Sequence, residues 1–267
     1  MAPKISVIMG VYNCARTLSA AISSIQNQTF SDWEFIICDD GSSDDTWHIA
    51  NAFREKDDRF ILLRNEQNLG LNVTLNKCLA AARGQYIARM DGDDICAPER
   101  FVKELLLYSE HPEAGVVSCS MDFFDDDGVF GSLIYSVAPQ PTDLLHGSQF
   151  CHAGALMRRD VLMALGGYSE SRDTLRVEDF DLWVRMYAAG YRGFNTKEIL
   201  YSMRDDRNAV SRRTLQSRIN EGKVILRAGE AFNCGVKARL YAAIPIMKGL
   251  CPQFIYKIIH KHRLNRT

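Results

Sequence analysis

Four residues, Asp91-Gly92-Asp93-Asp94, bring three carboxylates together immediately after an apolar run. The run, Tyr86–Met90, predicts a strand, and Gly92 gives the backbone between Asp91 and Asp93 the freedom to bend. Two carboxylates that face one point suit a hard divalent cation, which prefers oxygen ligands. The carboxyl end of a strand in an α/β sheet is also where ligands usually bind. A solvated acidic turn is the alternative, and this segment alone leaves both open.

Polar residues also stand at the ends of two other predicted strands, in Gly10–Asn13 and Asp39–Thr46. Because the carboxyl ends of parallel strands meet at one edge of a sheet, we expect both segments to lie beside Asp91. There Tyr12 would stack on a nucleobase and Asp40 would accept a base N–H. The alternatives are that Tyr12 is a core residue and that the acidic segment forms a turn and a helix cap.

A second acidic pair, Glu178-Asp179, opens a predicted helix, Phe180–Ala189. The helix dipole alone would favour carboxylates at this position, and in the functional alternative one of them is a general base. Two weaker candidates are interpreted as structural. His152 is expected to be a satisfied structural histidine, and Arg204 part of a solvated polar loop rather than a diphosphate contact.

The elements that must position these residues alternate between strand and helix in the first half of the chain. The predicted strands are Ile5–Tyr12, Trp33–Cys38, Phe60–Arg64 and Tyr86–Met90. The predicted helices are Ala15–Gln28, Thr46–Arg54, Asn72–Ala82 and residues 99–110. This alternation predicts an α/β fold with a mainly parallel sheet that is covered on both faces.

The chain after Gly115 follows a different pattern. Val116–Phe124 and Val129–Tyr135 predict a hairpin, Phe150–Met157 a further strand and Arg159–Leu165 a short helix. Residues 211–230 and 235–264 have a helical pattern, and Pro245 and Pro252 are expected to interrupt the second of these helices.

Charge is divided unevenly between two predicted parts, a domain of residues 1–210 and a mostly helical extension of residues 211–267. The whole chain of 267 residues has a net charge of −1 and an ordinary soluble composition, 46% hydrophobic and 24% charged. The domain holds 20 Lys and Arg against 31 Asp and Glu, whereas the extension holds 12 against 2. A basic extension predicts an anionic partner, either nucleic acid or a membrane surface. The apolar residues interleaved in it, as in Phe254–Ile259, favour an anionic membrane, so nucleic acid is not predicted as a partner.

The cysteines and the N-terminal residues indicate a reducing compartment. None of the eight cysteines forms a C-x-x-C pair, so zinc spacing is absent, and Cys14, Cys38 and Cys119 are interpreted as small buried residues. The run Ile5–Val11 has no cleavage site behind it and predicts a strand rather than a secretory signal. No apolar stretch approaches the roughly 18 residues of a membrane span. We therefore expect a cytoplasmic protein, with the extension offering peripheral attachment to the inner face of the plasma membrane.

Taken in order, the motifs of this chain resemble those of the family 2 inverting glycosyltransferases. The matching segments are Ser6–Asn13, Ser24–Thr29, Asp39–Thr46, Asn68–Gly70 with Asn76, Ala88–Asp94, Pro98–Arg100, Gly166–Tyr168 and Glu178–Trp183. Each motif alone is weak, but the ordered set is highly specific and covers roughly residues 4–205. The motifs of dinucleotide enzymes, P-loop NTPases and α/β-hydrolases are absent from the sequence.

The resemblance implies the GT-A fold, a mainly parallel Rossmann-like sheet flanked by helices, and transfer of a sugar from a nucleotide-activated donor. By position, it assigns the base-binding residues to Gly10, Tyr12 and Asp40, the acid near the ribose to Asp91, the ligand of a Mn²⁺ or Mg²⁺ ion to Asp93, and the catalytic base to Asp179. Gly10 departs from the hydroxyl residue that some relatives have, so no side-chain hydrogen bond to the base is expected there.

The resemblance therefore implies an enzyme that moves one hexose or N-acetylhexosamine, with inversion, from a UDP-sugar to a saccharide or lipid-linked oligosaccharide in surface polysaccharide biosynthesis. A divalent ion would neutralise the leaving diphosphate, and a carboxylate would remove the proton of the acceptor hydroxyl. The chain lacks the Q-x-x-R-W motif and the membrane spans of related processive synthases, which favours addition of a single sugar. A dTDP-sugar stays open as the donor. A non-catalytic nucleotide-sugar-binding module is the alternative, and the joint presence of Asp91, Asp93 and Asp179 disfavours it.

Overall fold

The computed structural model describes residues 2–205 and 214–250 of the chain. Its strands are β1 (Ile5–Val11), β2 (Trp33–Asp39), β3 (Phe60–Arg64), β4 (Tyr86–Arg89), β5 (Ile95–Cys96), β6 (Ala114–Asp125), β7 (Gly128–Leu133), β8 (Leu156–Arg158) and β9 (Arg192–Arg204). Its helices are α1 (Ala15–Gln26), α2 (Thr46–Arg54), α3 (Leu71–Ala81), α4 (Arg100–Glu110), α5 (Arg159–Ala164), α6 (Glu178–Ala188), α7 (Leu215–Ala231) and α8 (Gly235–Leu250). Two short 3₁₀ helices lie at Pro141–His146 and Arg172–Thr174.

The sheet places four parallel strands side by side. Its strand order is β3-β2-β1-β4-β8-β6-β9-β5, with β7 paired to β6. β1 pairs in parallel with β2 and β4, and β2 pairs in parallel with β3. β8 runs antiparallel to β4 and β6, whereas β6 and β9 are parallel to each other. The carboxyl ends of β1 to β4 therefore share one edge of the sheet, as predicted.

Helices cover both faces of this sheet, which explains why β1 reads as a continuous apolar run. Val7 and Met9 of β1 belong to one buried cluster together with residues of α1, and Ile8 belongs to a second cluster together with residues of α3 and α6. Full burial of such a side chain contributes about 1.5–3 kcal/mol. Since both faces of β1 are packed, the position of its carboxyl end is fixed from both sides.

The predicted hairpin is confirmed by the pairing of β6 with β7, but other strands differ from the sequence prediction. The predicted strand Phe150–Met157 is wrong over most of its length, because β8 begins only at Leu156. Phe150 is buried because its ring packs 5.3 Å from that of Trp183, rather than because it lies in a β-ladder. β5 and β9 are absent from the prediction. β5 is too short to form a pattern, and polar residues at 195–198 interrupt the alternation of β9.

The two C-terminal helices pack on the body of the molecule. Val224 and Ala228 of α7 and Ala238 of α8 belong to the buried cluster that contains residues of α6. A β-carbon at Gly229 would overlap the side chain of Ala238, so glycine allows the two helices to approach closely. The predicted interruption at Pro245 is wrong, since α8 continues through this buried proline. The tertiary packing of α8 outweighs the backbone hydrogen bond that is lost because Pro245 has no N–H.

Two sequence predictions about the C-terminal part are not decided by the described residues. The division of the chain at 210 and 211 stays a prediction, and the apolar segment Phe254–Ile259 lies outside the described residues. Within residues 2–205 and 214–250, none of the helices is both long and apolar enough to cross a membrane.

Candidate active site

A cavity of about 660 Å³ opens at the shared carboxyl edge of the sheet. Its lining includes Gly10, Tyr12, Asp91 and Asp93, so the structure brings these four predicted site residues together. The rest of the lining comes from Val11, Asn13, Cys14, Arg16, Thr17, Gly92, Asp125, Asp126, Asp127, Arg204 and Asp205. Asp40 and Asp179 are not among the residues that line it.

The end of β1 presents one very small residue and one exposed aromatic ring. A β-carbon at Gly10 would lie 3.0 Å from Cγ2 of Thr74 and 3.2 Å from Cδ1 of Leu71. α3 thus packs so closely here that a larger residue would displace it, which explains the departure from a hydroxyl residue. Tyr12 is 51% exposed. This exposure contradicts its alternative interpretation as a core residue and leaves the ring accessible to a planar ligand.

The acidic segment after β2, Asp39–Thr46, is hydrogen-bonded to the loop that follows β1. Asp44 accepts hydrogen bonds from the backbone N–H groups of Ala15, at 3.1 Å, and Thr46, at 3.0 Å. These residues begin α1 and α2, so one carboxylate caps two helices. Asn13 accepts a hydrogen bond from the N–H of Ser43 at 2.9 Å and has a positive φ of 49°, which asparagine tolerates. The capping interpretation of this segment is correct for Asp44.

Asp40 is buried and holds the turn that begins α3. Its Oδ1 accepts hydrogen bonds from Nδ2 of Asn65 at 2.8 Å and from the N–H of Leu69 at 2.9 Å, and its Oδ2 accepts one from the N–H of Gly70 at 2.9 Å. Gly70 has a φ of +93°, a conformation that favours glycine. A carboxylate has about four acceptor positions. Within residues 2–205 and 214–250, three hydrogen bonds therefore use most of this capacity, and Oδ2 accepts only one of them.

The loop Asp91–Asp94, here called the acidic loop, is held by α1 and by β9. Oγ1 of Thr17 donates to the carbonyl of Gly92 at 3.0 Å. The hydroxyl of Tyr201 accepts from the N–H of Asp91 at 3.2 Å and donates to Oδ2 of Asp94 at 2.8 Å. Burial, together with the charges of Asp91 and Asp93, raises the pKa of Asp94 well above its usual value. β9, which the sequence prediction lacks, thus anchors the loop that carries the candidate metal ligand.

A small residue is needed at Gly92 because neighbouring side chains pack closely there, and not because the backbone has an unusual bend. Gly92 is not among the glycines of positive φ in the described residues. A β-carbon at this position would lie 3.0 Å from Sγ of Cys14 and from Cγ1 of Val11. Cys14 is only half-buried, and the burial of its thiol raises its pKa to about 12. The thiol therefore stays protonated beside the loop and packs against it.

A buried guanidinium links the acidic loop to the start of α6. Arg89 is 1% exposed, and its Nη1 lies 2.6 Å from Oδ1 of Asp91. Burial and the charge of Asp179 raise the pKa of Glu178, while the nearby Arg89 opposes this shift. Burial raises the pKa of Tyr168, and the charges of Asp179, Glu178 and Asp91 add to the shift. Asp179 and Asp91 thus both act on the pKa of Tyr168, although Asp179 does not line the cavity.

His152 has the structural role that the sequence favours. Its Nε2 is 2.9 Å from the hydroxyl of Tyr168, and its ring meets that of Trp183 edge to face. Burial and the positive charge of Arg89 lower the pKa of His152 well below its usual value. The imidazole is therefore neutral and supports the segment that carries Tyr168.

Asn76 of α3 is hydrogen-bonded to the segment Gly166–Tyr168, which precedes α6. Its Nδ2 donates to the carbonyl of Tyr168 at 2.9 Å, and its Oδ1 accepts from the N–H of the same residue at 2.9 Å. Gly167 has a φ of +70°. Two motifs that are far apart in the sequence, Asn76 and Gly166–Tyr168, are thus one structural unit. The segment before α6 is therefore fixed where it begins.

Two arginines and the tip of the β6–β7 hairpin complete the cavity wall. The interpretation of Arg204 as part of a solvated loop is wrong, because it ends β9, lines the cavity and has a side chain only 24% exposed. Its Nη1 lies 2.7 Å from Oδ1 of Asp126, and Nη1 of Arg16 lies 3.1 Å from Oδ2 of the same carboxylate. The sequence identifies Asp125–Gly128 only as a turn. That the turn reaches the cavity depends on the sheet order, which local pattern does not reveal.

The donor set of the cavity fits a divalent ion that is shared with a phosphorylated ligand. In residues 2–205 and 214–250, no group of three or more His, Cys, Asp or Glu side chains is arranged to hold a metal ion alone. Mg²⁺ is usually held by one or two carboxylates together with substrate phosphates and water. Asp91 and Asp93, side by side on an open cavity, meet that requirement.

A slightly larger cavity of about 730 Å³ lies at the opposite edge of the sheet, beside Lys4 and Tyr86. None of the predicted site residues lines it. Its basic residues are partly neutralised by neighbouring groups, as in the pair formed by Arg83 and Glu34 at 2.6 Å. The acids predicted for the metal and the base, Asp93 and Asp179, are not among its lining residues.

Comparison with known proteins decides the family. The family model described as Glycosyl transferase family 2 matches residues 6–166. The chain belongs to this family. It is 39% identical to EpsE of Bacillus subtilis over 263 residues, which cover 98% of this chain and 95% of EpsE. It is 28% identical over 240 residues to the Escherichia coli enzyme WfaP, a UDP-Glc:alpha-D-GlcNAc-diphosphoundecaprenol beta-1,3-glucosyltransferase, covering 90% of this chain and 92% of WfaP.

Solved structures give this family 2 transferase the GT-A fold. S. aureus TarS 1–349 in complex with UDP-GlcNAc matches with a TM-score of 0.69 and 19% identity, over 99% of this chain and 76% of the TarS chain. The mannosyltransferase PcManGT of Pyrobaculum calidifontis, in complex with GDP-Man and Mn²⁺, matches with a TM-score of 0.64 and 17% identity, over 98% of this chain and 80% of the other. At these identities the likeness supports the fold alone.

Proposed function

We propose that this family 2 transferase moves one sugar, with inversion, from a UDP-sugar to a lipid-linked saccharide in the synthesis of a surface polysaccharide. The observation that carries the proposal is the cavity that gathers Tyr12, Asp91, Asp93 and Arg204 at one edge of the sheet. The name of WfaP supports a UDP-sugar donor and a lipid-diphosphate acceptor. A 26% identical relative, the amylovoran biosynthesis glycosyltransferase AmsE of Erwinia amylovora, supports the polysaccharide context; the match covers 94% of this chain and 97% of AmsE.

The nucleoside of the donor occupies the end of β1 in this proposal. Tyr12 is exposed there and stacks on the base. Gly10 lets the base approach the backbone closely, and Asp91 accepts a ribose hydroxyl. Asp40 contributes through the turn that it holds and through the acceptor position left on its Oδ2, which suits a base N–H.

The diphosphate lies over the acidic loop and faces Arg204. Asp93, with Asp91 beside it, would hold Mn²⁺ or Mg²⁺. Such an ion supplies positive charge that stabilises the leaving nucleoside diphosphate. The Arg204 guanidinium lies on the same cavity and adds a hydrogen-bonding cation that recognises phosphate geometry.

Asp179 is the proposed general base for the acceptor hydroxyl. It lies in the first turn of α6. Its negative charge raises the pKa values of Glu178 and Tyr168, and the positive charge of Arg89 lowers them. As the acceptor oxygen attacks the anomeric carbon, the carboxylate takes the hydroxyl proton while the bond from that carbon to the diphosphate oxygen breaks. A single displacement inverts the anomeric centre, so an α-linked donor gives a β-linked product.

A thermal-shift panel of UDP-, dTDP- and GDP-sugars, with and without Mn²⁺, tests donor binding. A ligand that binds only the folded chain raises its melting temperature, and we expect the largest rise with a UDP-sugar plus Mn²⁺. An assay with a lipid-linked saccharide then tests transfer, and nuclear magnetic resonance of the product tests the anomeric configuration. Binding without hydrolysis or transfer on any acceptor would instead favour the non-catalytic binding module.

A further inference from the structure

One face of α8 is apolar and open to solvent. Val236, Leu240, Met247 and Leu250 are 78%, 70%, 67% and 69% exposed. At the angular spacing of an α-helix these four side chains fall within about 80° of one another. They are called here the α8 stripe. Single exposed apolar residues are ordinary on protein surfaces, but four aligned on one helix face indicate a binding surface.

Basic residues border the α8 stripe on both sides. The same helical spacing places Lys237 and Lys248 along one border and Arg239 along the other, and all three are exposed. Residues 231–267 contain seven Lys and Arg but no Asp or Glu. The helix therefore presents an apolar centre with a cationic rim, which is the pattern of a helix lying in a membrane interface.

The opposite face of α8 fixes the stripe relative to the loops around the candidate base. Ala238 is buried in the main cluster, and the ring of Tyr241 lies 4.4 Å from that of His146 in the first 3₁₀ helix. α7, on which α8 packs, reaches the segment before α6, because Nδ2 of Asn220 donates to the carbonyl of Leu175 at 3.1 Å. The stripe is thus attached through Tyr241 to the first 3₁₀ helix, and through α7 to the segment that leads into Glu178 and Asp179.

We propose that the α8 stripe is a membrane-contact surface that binds the anionic phospholipid interface and holds the active site next to lipid-linked acceptors. The apolar side chains enter the boundary between headgroups and acyl chains, and the bordering cations meet lipid phosphates. The acceptor part of this inference rests on the proposed function; the membrane contact itself does not.

Charge favours a membrane over the two other occupants that the chain could supply. A second copy packed stripe against stripe would bring the Lys237, Arg239 and Lys248 side chains of both chains together. Residues 251–267, outside the described residues, carry four more cations and no acid. Folding that segment over the stripe would also crowd like charges. An anionic membrane offers phosphates to the basic residues at the border of the stripe and acyl chains to its apolar residues.

The test compares two double variants of the full chain in vesicle sedimentation. Leu240→Glu with Met247→Glu places two acids in the stripe. Val102→Glu with Leu106→Glu, on α4, is the matched control, because those residues are also exposed apolar neighbours on one helix face. We expect the wild type and the control to sediment with phosphatidylglycerol vesicles, to ignore phosphatidylcholine vesicles and to be released by high salt. The stripe variant should bind phosphatidylglycerol at least about tenfold more weakly.

Melting temperatures and UDP-sugar shifts of all three proteins show whether each variant is folded and binds donor. These readouts separate the inference from the proposed function, since vesicle binding needs no sugar transfer. A wild type that does not sediment with phosphatidylglycerol at low salt overturns the proposal, and so does a folded stripe variant that binds as well as the control. Light scattering that shows a dimer dissociated only by the stripe variant would assign the surface to a second copy instead.

Discussion

At the scale of single residues, the two carboxylates of the acidic loop share one cavity, and contacts from distant parts of the chain hold the residues around them. Asp91 and Asp93 lie on one cavity, as their spacing after a strand predicts. The pattern cannot show that Asp40 holds the turn before α3 or that Gly92 is small because Cys14 packs on it. Both are contacts between segments far apart in sequence, and local spacing carries no information about them.

The first residue-scale prediction concerns the metal. Asp93→Asn removes a charge but almost no volume, so we expect donor turnover to fall by about 100-fold or more. Excess chelator should abolish wild-type turnover. Asp127→Asn is the matched control, because Asp127 is exposed and lines the same cavity without a proposed metal role. Undiminished turnover in chelator would contradict the metal assignment.

The second prediction concerns the base. Asp179→Asn should lower kcat by roughly 10²–10⁴-fold and leave the UDP-sugar melting shift nearly unchanged, because general base catalysis acts on the transition state. Glu178→Gln is the comparison. Burial raises the pKa of Glu178, so this carboxyl keeps its proton to a higher pH than an ordinary glutamate. If Glu178→Gln is the slower enzyme and Asp179→Asn retains its rate, the roles are reversed.

At the scale of elements, strands with uniform burial are predictable and strands with mixed surroundings are not. β1 and β2 are buried along almost their whole length and appear as apolar runs. β9 lies in the same sheet but alternates irregularly, although its Tyr201 holds the acidic loop and its Arg204 lines the cavity. Sheet order, rather than local propensity, decides that β9 ends at the cavity.

Tyr201→Phe tests the role of β9. Loss of the hydroxyl removes one donor to the buried Asp94 and the acceptor for the N–H of Asp91, so we expect a loss of about 1–3 kcal/mol in the free energy of unfolding. The KM for the donor should rise as well, because the acidic loop loses an anchor. Tyr108→Phe is the control. The Tyr108 hydroxyl is also buried and donates to two backbone carbonyls, those of Gly115 and Leu156. An equal rise in KM in both variants would show that the effect is general.

At the scale of the whole molecule, the C-terminal helices are part of the packed structure. The sequence predicts them as a basic extension, and nothing in their composition reveals that they share a buried cluster with α6. Val224 and Ile225 of α7 and Ala238 and Ala242 of α8 belong to that cluster. One helix can thus have a basic exposed face and an apolar buried face. Net charge alone therefore does not show whether a segment lies outside the packed domain or belongs to it.

Shortening the chain tests this arrangement. A chain that ends at residue 230 lacks α8 and exposes the part of α7 around Gly222 and Gly229, on which α8 packs. We expect it to lose roughly 3–6 kcal/mol, a fall in melting temperature of about 10 °C or more. A chain that ends at residue 250 keeps both helices and should retain the melting temperature and UDP-sugar shift of the full chain. If the shorter chain melts like the longer one, α8 contributes little to the packed structure.

The carboxylate of Asp126 is the counter-ion of two arginines in the cavity wall. It is shared by Arg16 and Arg204, so in the proposed function a donor whose phosphates contact Arg204 would displace it. Exposed ion pairs are weak and are screened by salt, so this exchange is easily reversed. In the proposed function, the return of Asp126 to Arg204 would compete with rebinding of the nucleoside diphosphate product. In that proposal the hairpin tip promotes product release from the cavity rather than retention.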